Sequence, residues 1–137
     1  MATVTSGINV NAQTHSYFEG TPTYGSTPVY GLDVKVGVND AEVRKQFDYD
    51  GLERPFVMIP TKVDGQVQWQ TQDLVHTGTS RTGYFGDQPV DDYALPKNVK
   101  VDLDAVRQYG IAIGMHTNNG DVWAQQSGQN FKVTEQP

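Results

Sequence analysis

Between Tyr109 and Val133 the chain alternates, turns and alternates again. Tyr109, Ile111, Ile113 and Met115 share one parity, Asn118-Asn119-Gly120-Asp121 interrupts the run, and Val122 and Trp123 lead out toward Phe131 and Val133. Asn-Gly between alternating apolar runs is the strongest short-range hairpin signal, because both residues tolerate φ > 0 and the twist of such a turn matches the flanking strands. The spacing predicts a terminal β-hairpin with Asn119 and Gly120 at its turn, and it places the chain among β proteins.

The same period of two recurs upstream. Tyr30, Leu32, Val34, Val36 and Val38 alternate with Gly31, Asp33, Lys35 and Gly37, which gives one apolar face and one wet face. Weaker alternation predicts strands at Ile8–Val10, at Val43, Phe47 and Tyr49, at Phe56 and Met58, at Val67, Trp69 and Thr71, and at Val99, Val101 and Leu103. Asn39-Asp40, Asp50-Gly51, Asp64-Gly65 and Pro96-Lys97-Asn98 separate them as turns. Short strands at this spacing predict an all-β, antiparallel sandwich or barrel of about seven to eight strands. The segments from Gly20 to Pro28 and from Thr77 to Pro89, rich in Gly and Thr, read as loops or edges, and Asp104 to Gln108 is the one stretch that could make a short helical turn.

At 137 residues the chain fits a single domain, 1–137, with no internal repeat or composition break, and it is long enough to bury a core without staples. It has no cysteine, which excludes a disulfide scaffold, a thiolate metal site and a thiol nucleophile. Lys+Arg 10 against Asp+Glu 16 gives a net charge of −6 with the cations scattered singly, so no nucleic-acid surface is expected. No run approaches the roughly 18 apolar residues of a membrane span, so no membrane insertion is expected either. Met1 to Ser6 lacks the charged and apolar regions of a signal peptide. The low charged fraction of 19%, with 14 glycines and many Thr, Gln and Asn, has the flavour of exported β proteins.

Catalytic chemistry finds little footing. His15, His76 and His116 lack short metal-ligand spacing and read as isolated strand or loop histidines, so no metal or cofactor is expected. The acidic pairs Asp48/Asp50, Asp91/Asp92 and Asp102/Asp104 fit turns and a solvated face better than a calcium loop. Ser80 has no adjacent base, and Gly78, Gly83 and Gly86 are followed by no Gly-Lys-Ser/Thr. The aromatic residues point instead to binding without catalysis. Sugar rings present apolar C–H faces, so a flat indole or phenol flanked by amides makes a glycan platform. Trp123, with Gln125, Asn130 and Tyr109, has that composition and forms the predicted site; Trp69 among its glutamines has it too, but Val67 and Thr71 share its face and make it a cross-strand aromatic. The competing reading is a structural or interaction domain that meets a protein partner through Tyr17, Phe18 and Tyr24 and through Tyr84 and Phe85.

Two segments, Val43 to Leu52 (VRKQFDYDGL) and Trp123 to Val133 (WAQQSGQNFKV), resemble the family 21 carbohydrate-binding modules, the starch- and glycogen-binding domains. The second keeps Trp123, Gly128, Asn130, an aromatic at Phe131 and a closing Val133 in the family spacing. Leu52 stands where the family's ligand-stacking Trp follows Asp-Gly, and Ala124-Gln125-Gln126 replaces Asp-Asn-Asn. The resemblance implies that the strands form an all-β, immunoglobulin-like antiparallel β-sandwich of about seven to eight strands, with a diverged glycan site at Trp123.

Overall fold

The computed structural model describes residues 3–4, 6–18, 20–27, 29–47, 54–81, 89–97, 99–118, 120–124 and 131–135. Among them lie eight full strands, β1 (Ile8–Tyr17), β2 (Val29–Val38), β3 (Arg54–Val63), β4 (Gln66–Asp73), β5 (Val75–Arg81), β6 (Pro89–Ala94), β7 (Ala112–Thr117) and β8 (Gly120–Trp123), and a two-residue β9 (Thr134–Glu135). Two short helices, α1 (Asp40–Arg44) and α2 (Leu103–Tyr109), join them. The sheets run β5-β6-β2-β1-β9 and β4-β3-β7-β8, antiparallel throughout except for the two-residue parallel contact of β9 with β1. The first sheet carries immunoglobulin strands D, E, B and A in that order, and the second carries C′, C, F and G. The all-β, immunoglobulin-like sandwich that the alternation and the family resemblance together imply is the fold the chain adopts.

Strand β2 shows why. Leu32, Val34, Val36 and Val38 are 9%, 1%, 2% and 0% exposed and face the second sheet, whereas Asp33 and Lys35 face water. Val57 and Ile59 of β3 and Ile113 and Met115 of β7 meet them from across the core. The interface between strands B and F, bridged by a disulfide in antibody domains, is closed here by aliphatic packing alone. Val36→Ala is expected to cost on the order of 1–3 kcal/mol through lost burial and a residual cavity, and Lys35→Ala to stay within about 0.5 kcal/mol. Equal losses in denaturant melts of the two variants would reject the inward register of β2.

Both tight hairpins use backbone that only certain residues adopt. Val63 pairs with Gln66, so β3 and β4 are joined by Asp64-Gly65 alone, at φ 52 and 78, the two positive values a type I′ turn requires. At the β7–β8 hairpin Thr117 pairs with Gly120, so Gly120 belongs to the strand and the turn sits one position earlier than predicted. Gly120, at φ 109, opens β8 in the left-handed region that favours glycine. Asn119 lies outside the described residues.

The helices correct two strand expectations. Val43 and Phe47 stand four apart, which is helical spacing, and Phe47 N–H donates to the Val43 carbonyl at 3.0 Å as α1 ends. Asn39, 1% exposed, caps that helix by accepting from Glu42 N–H at 3.1 Å, and Asp40 and Glu42 occupy its first turn. Tyr49 lies outside the described residues. Downstream, Val99 and Val101 lead into α2 instead of forming a strand, and Tyr109 ends that helix instead of opening β7. Asp102 caps α2 through Oδ1, which accepts from Ala105 N–H at 3.2 Å, while its Oδ2 accepts from Lys62 N–H at 3.0 Å. The Lys62 and then the Ala105 N–H hold the Asp102 carboxyl below the usual aspartate range, and the paired contacts fasten α2 to β3. Ala105 and Val106, both 0% exposed, close the end of the sandwich beneath it.

Candidate functional site

Trp123 lies on the outer face of the four-stranded sheet and is half-buried. Register explains its neighbours: Trp123 pairs with Gly114 and Gly114 with Phe56, so all three point the same way. The Phe56 ring occupies the space over Gly114, where a β-carbon would lie 2.5 Å from Cζ. His116 stacks on that ring at 4.2 Å and 19°, and Trp123 meets it edge to face at 5.4 Å and 80°. His116 Nδ1 lies 2.7 Å from Asp121 Oδ1, and its Nε2 lies 3.6 Å from Asp73 Oδ1. Trp123 is therefore one wall of a packed aromatic cluster, with only part of its ring open.

Tyr109 is half-buried at the end of α2, with the Lys62 ammonium 5.7 Å from its ring centroid, whereas the ring contact of Trp123 is with Phe56. Gln125 and Asn130 lie outside the described residues, as do Tyr84 and Phe85. Trp69, expected as a cross-strand aromatic, is 39% exposed on β4 at the sheet edge. The histidines are not isolated: His15 lies by Asp33, His76 by Asp91 at 3.7 Å and His116 by its two aspartates, in three separate places. Among the described residues no group of three His, Asp or Glu could hold a metal ion.

A more open aromatic site lies on the other sheet. The antiparallel pairing of β1 with β2 sets Ser16 opposite Tyr30 and Tyr17 opposite Val29, so two tyrosines far apart in the chain flank one end of the pair. Tyr17 is 42% exposed and Tyr30 48%. Between them and the segment from Pro96 to Val101 runs an open groove of about 640 Å³, to which His15, Asp33, Lys97 and Lys100 also contribute. Gly31 forms its floor; a β-carbon there would lie 3.1 Å from His15 Cε1 and 3.2 Å from Tyr17 Cε1, so glycine is what lets both rings lie down on β2. The His15 and Tyr17 rings are tilted at 31° with centroids 5.4 Å apart. His15 Nδ1 is buried 2.9 Å from Asp33 Oδ2, close enough for an ion pair but out of line for a hydrogen bond. Arg107 reaches over the Tyr30 ring from α2, with its guanidinium carbon 5.9 Å from the centroid.

A second groove, of about 670 Å³, continues on the same outer face toward the opposite end of β1 and β2, where Asn9, Asn11, Lys35, Ser80 and Asp92 supply donors and acceptors. The wet face of this sheet thus carries the His15 and Tyr17 rings at one end and an array of amides and hydroxyls at the other, while Tyr30 has the inward parity of Leu32 and Val34. Comparison of the chain with protein-family models, with curated proteins and with solved structures finds no match.

Sequence reasoning passed over this groove because it placed Tyr17 with the loop aromatics and Tyr30 in the apolar stripe of β2. A tyrosine ending one strand, another opening the next and a glycine directly after it were the available signal. Lys97 and Lys100 reach the groove only through the tertiary path of the segment between β6 and α2.

Proposed function

We propose that the domain is a non-catalytic binding module whose ligand is a glycan, held in the groove between Tyr17 and Tyr30. The observation that carries this reading is an open groove lined by two tyrosines from opposite faces of the β1–β2 pair, each almost half exposed, with Gly31 in its floor beneath Tyr17. Stacking needs flat rings free on one face, and specificity needs a few directional polar groups around them; Asp33, Lys97 and Lys100 are such groups. Asp33 is the one carboxylate among the described residues lining this groove, whereas glycoside hydrolysis works with two. The resemblance to the starch-binding modules supports a sugar ligand in kind but puts the stacking residue at Trp123, which is partly committed to Phe56.

Titration of the labelled domain with maltoheptaose and a panel of neutral and acidic glycans tests the reading. One member is expected to shift the amides of Tyr17, Gly31 and Lys100 with an affinity near millimolar, about −4 kcal/mol. Tyr30→Ala, at an exposed position, should weaken that binding by roughly five- to tenfold, as loss of about 1 kcal/mol of ring contact implies, and leave folding intact. Shifts confined to the indole of Trp123 would return the site to the other sheet. A panel without any shift favours the second reading, a protein-interaction module, for which the fully exposed Tyr24 in the turn closed by Thr23 and Ser26 is the supporting observation.

A further inference from the structure

A regular, uncovered strand edge is a template for another strand, and soluble proteins blunt such edges with charge, proline, bulges or brevity. Three of the four sheet edges here are blunted. β5 is broken by a register shift between His76 and Gly78, β9 has two residues, and β8 has four and is bridged by Thr3, with Val4 N–H donating to the Trp123 carbonyl at 2.7 Å. β4 has none of these devices. It runs eight residues, pairs with β3 without a break, contains no proline, and is uncharged from Gln66 to Gln72 in a chain of net charge −6. Six of its eight residues are exposed, so neither of its faces is covered along its length.

We propose that β4 pairs with β4 of a second copy of this chain, antiparallel and centred on Trp69. The hydrogen-bond phase permits it. Leu74 N–H donates to the Pro55 carbonyl at 3.1 Å, and in an antiparallel ladder alternate residues bond to the same neighbour, so Gln72, Gln70, Gln68 and Gln66 face β3. The backbone groups of Val67, Trp69 and Thr71 consequently point to the open edge. The side chains permit it as well. A two-fold axis normal to the sheet keeps each face on its own side, which sets Trp69 opposite Trp69 of the copy, Val67 opposite Thr71, and Gln68 opposite Gln70. Aromatic and β-branched pairs then line one face and amides the other, both favourable cross-strand combinations. Asp73 falls opposite Gly65 in this register and stays in water, whereas a shift by two would set it against Val67. The association joins two four-stranded sheets into one of eight and leaves the groove on the other sheet open, so it stands or falls apart from the glycan reading.

Sedimentation and amide exchange over roughly 10 µM to 1 mM test it. A reversible dimer is expected, with protection of the Val67, Trp69 and Thr71 amides rising with concentration. Trp69→Lys sets two like charges directly opposite each other and should raise the dimer dissociation constant at least about tenfold, with the monomer's circular dichroism and melting curve retained because the position is exposed. A parent that stays monomeric throughout, a dimer that survives Trp69→Lys, or exchange at those three amides independent of concentration would each overturn the proposal.

Discussion

Phe56→Ala should lower the unfolding free energy by about 3–5 kcal/mol, among the largest losses any single truncation produces here. The position is unusual, because Phe56 lies on the outer face of its sheet and is nevertheless 1% exposed. Its burial comes from side chains of the same sheet: His116 covers one side of the ring, Trp123 meets its edge, and Gly114 withholds the β-carbon that would occupy its seat. Truncation removes the ring and also strips His116 and Trp123 of the surface they pack on, so the cavity term adds to the transfer term. Since the cluster borders solvent, His116 and Trp123 can settle partly into the gap, which favours the lower half of that range. Guanidinium melts of parent and variant decide it, with near-ultraviolet dichroism reporting the Trp123 environment. A loss below about 1 kcal/mol would show that the ring is peripheral to the fold.

Much of this architecture is legible in the sequence wherever one face of a strand is buried and the other wet. Val34, Val36 and Val38 announce β2 because the second sheet lies over one side of it only. The same logic fails where geometry departs from that case. Phe56 and Val57 are adjacent and both buried, one under the aromatic cluster and one in the core, so β3 shows no clean alternation around them. Val43 and Phe47 satisfy a period of two and a spacing of four equally well, and the Asn39 cap, with Asp40 and Glu42 after it, is the local signal that resolves them to a helix. Asp102 and the residues after it carry the same signature, which the alternation from Tyr109 onward obscured.

The site is less legible than the fold for a physical reason. Binding faces are assembled by strand pairing, and pairing brings together residues that share no local pattern, as His15 and Gly31 do across the β1–β2 ladder. A tryptophan followed by amides looks like a sugar platform in one dimension, yet whether its ring is free depends on what stands opposite. For Trp123 that is Gly114, whose missing side chain admits Phe56. Trp69 shows the converse, since its neighbours Val67 and Thr71 share its face but no second layer covers β4.

Gly114→Val should cost about 3 kcal/mol, and Gly114→Ala not much less, the upper part of the range for overpacking. A β-carbon at this position would lie 2.5 Å from Phe56 Cζ, 2.9 Å from Cε1 and 3.0 Å from the Val122 carbonyl oxygen. The first two contacts could be relieved by moving the ring, but His116 and Trp123 hold it; the third belongs to β8 backbone, which is fixed by its pairing with β7. Strain at Gly114 is not conformational, since φ there is not among the positive values, and the loss is one of space. That distinction makes the prediction separable from a general intolerance of substitution. Phe56→Leu, which shortens the offending side chain, should cost about 1 kcal/mol alone, and combining it with Gly114→Ala should recover at least about 1 kcal/mol relative to the sum of the single losses. Additive losses would mean that the ring and the glycine are not in contact, and would remove the explanation offered for the half-burial of Trp123.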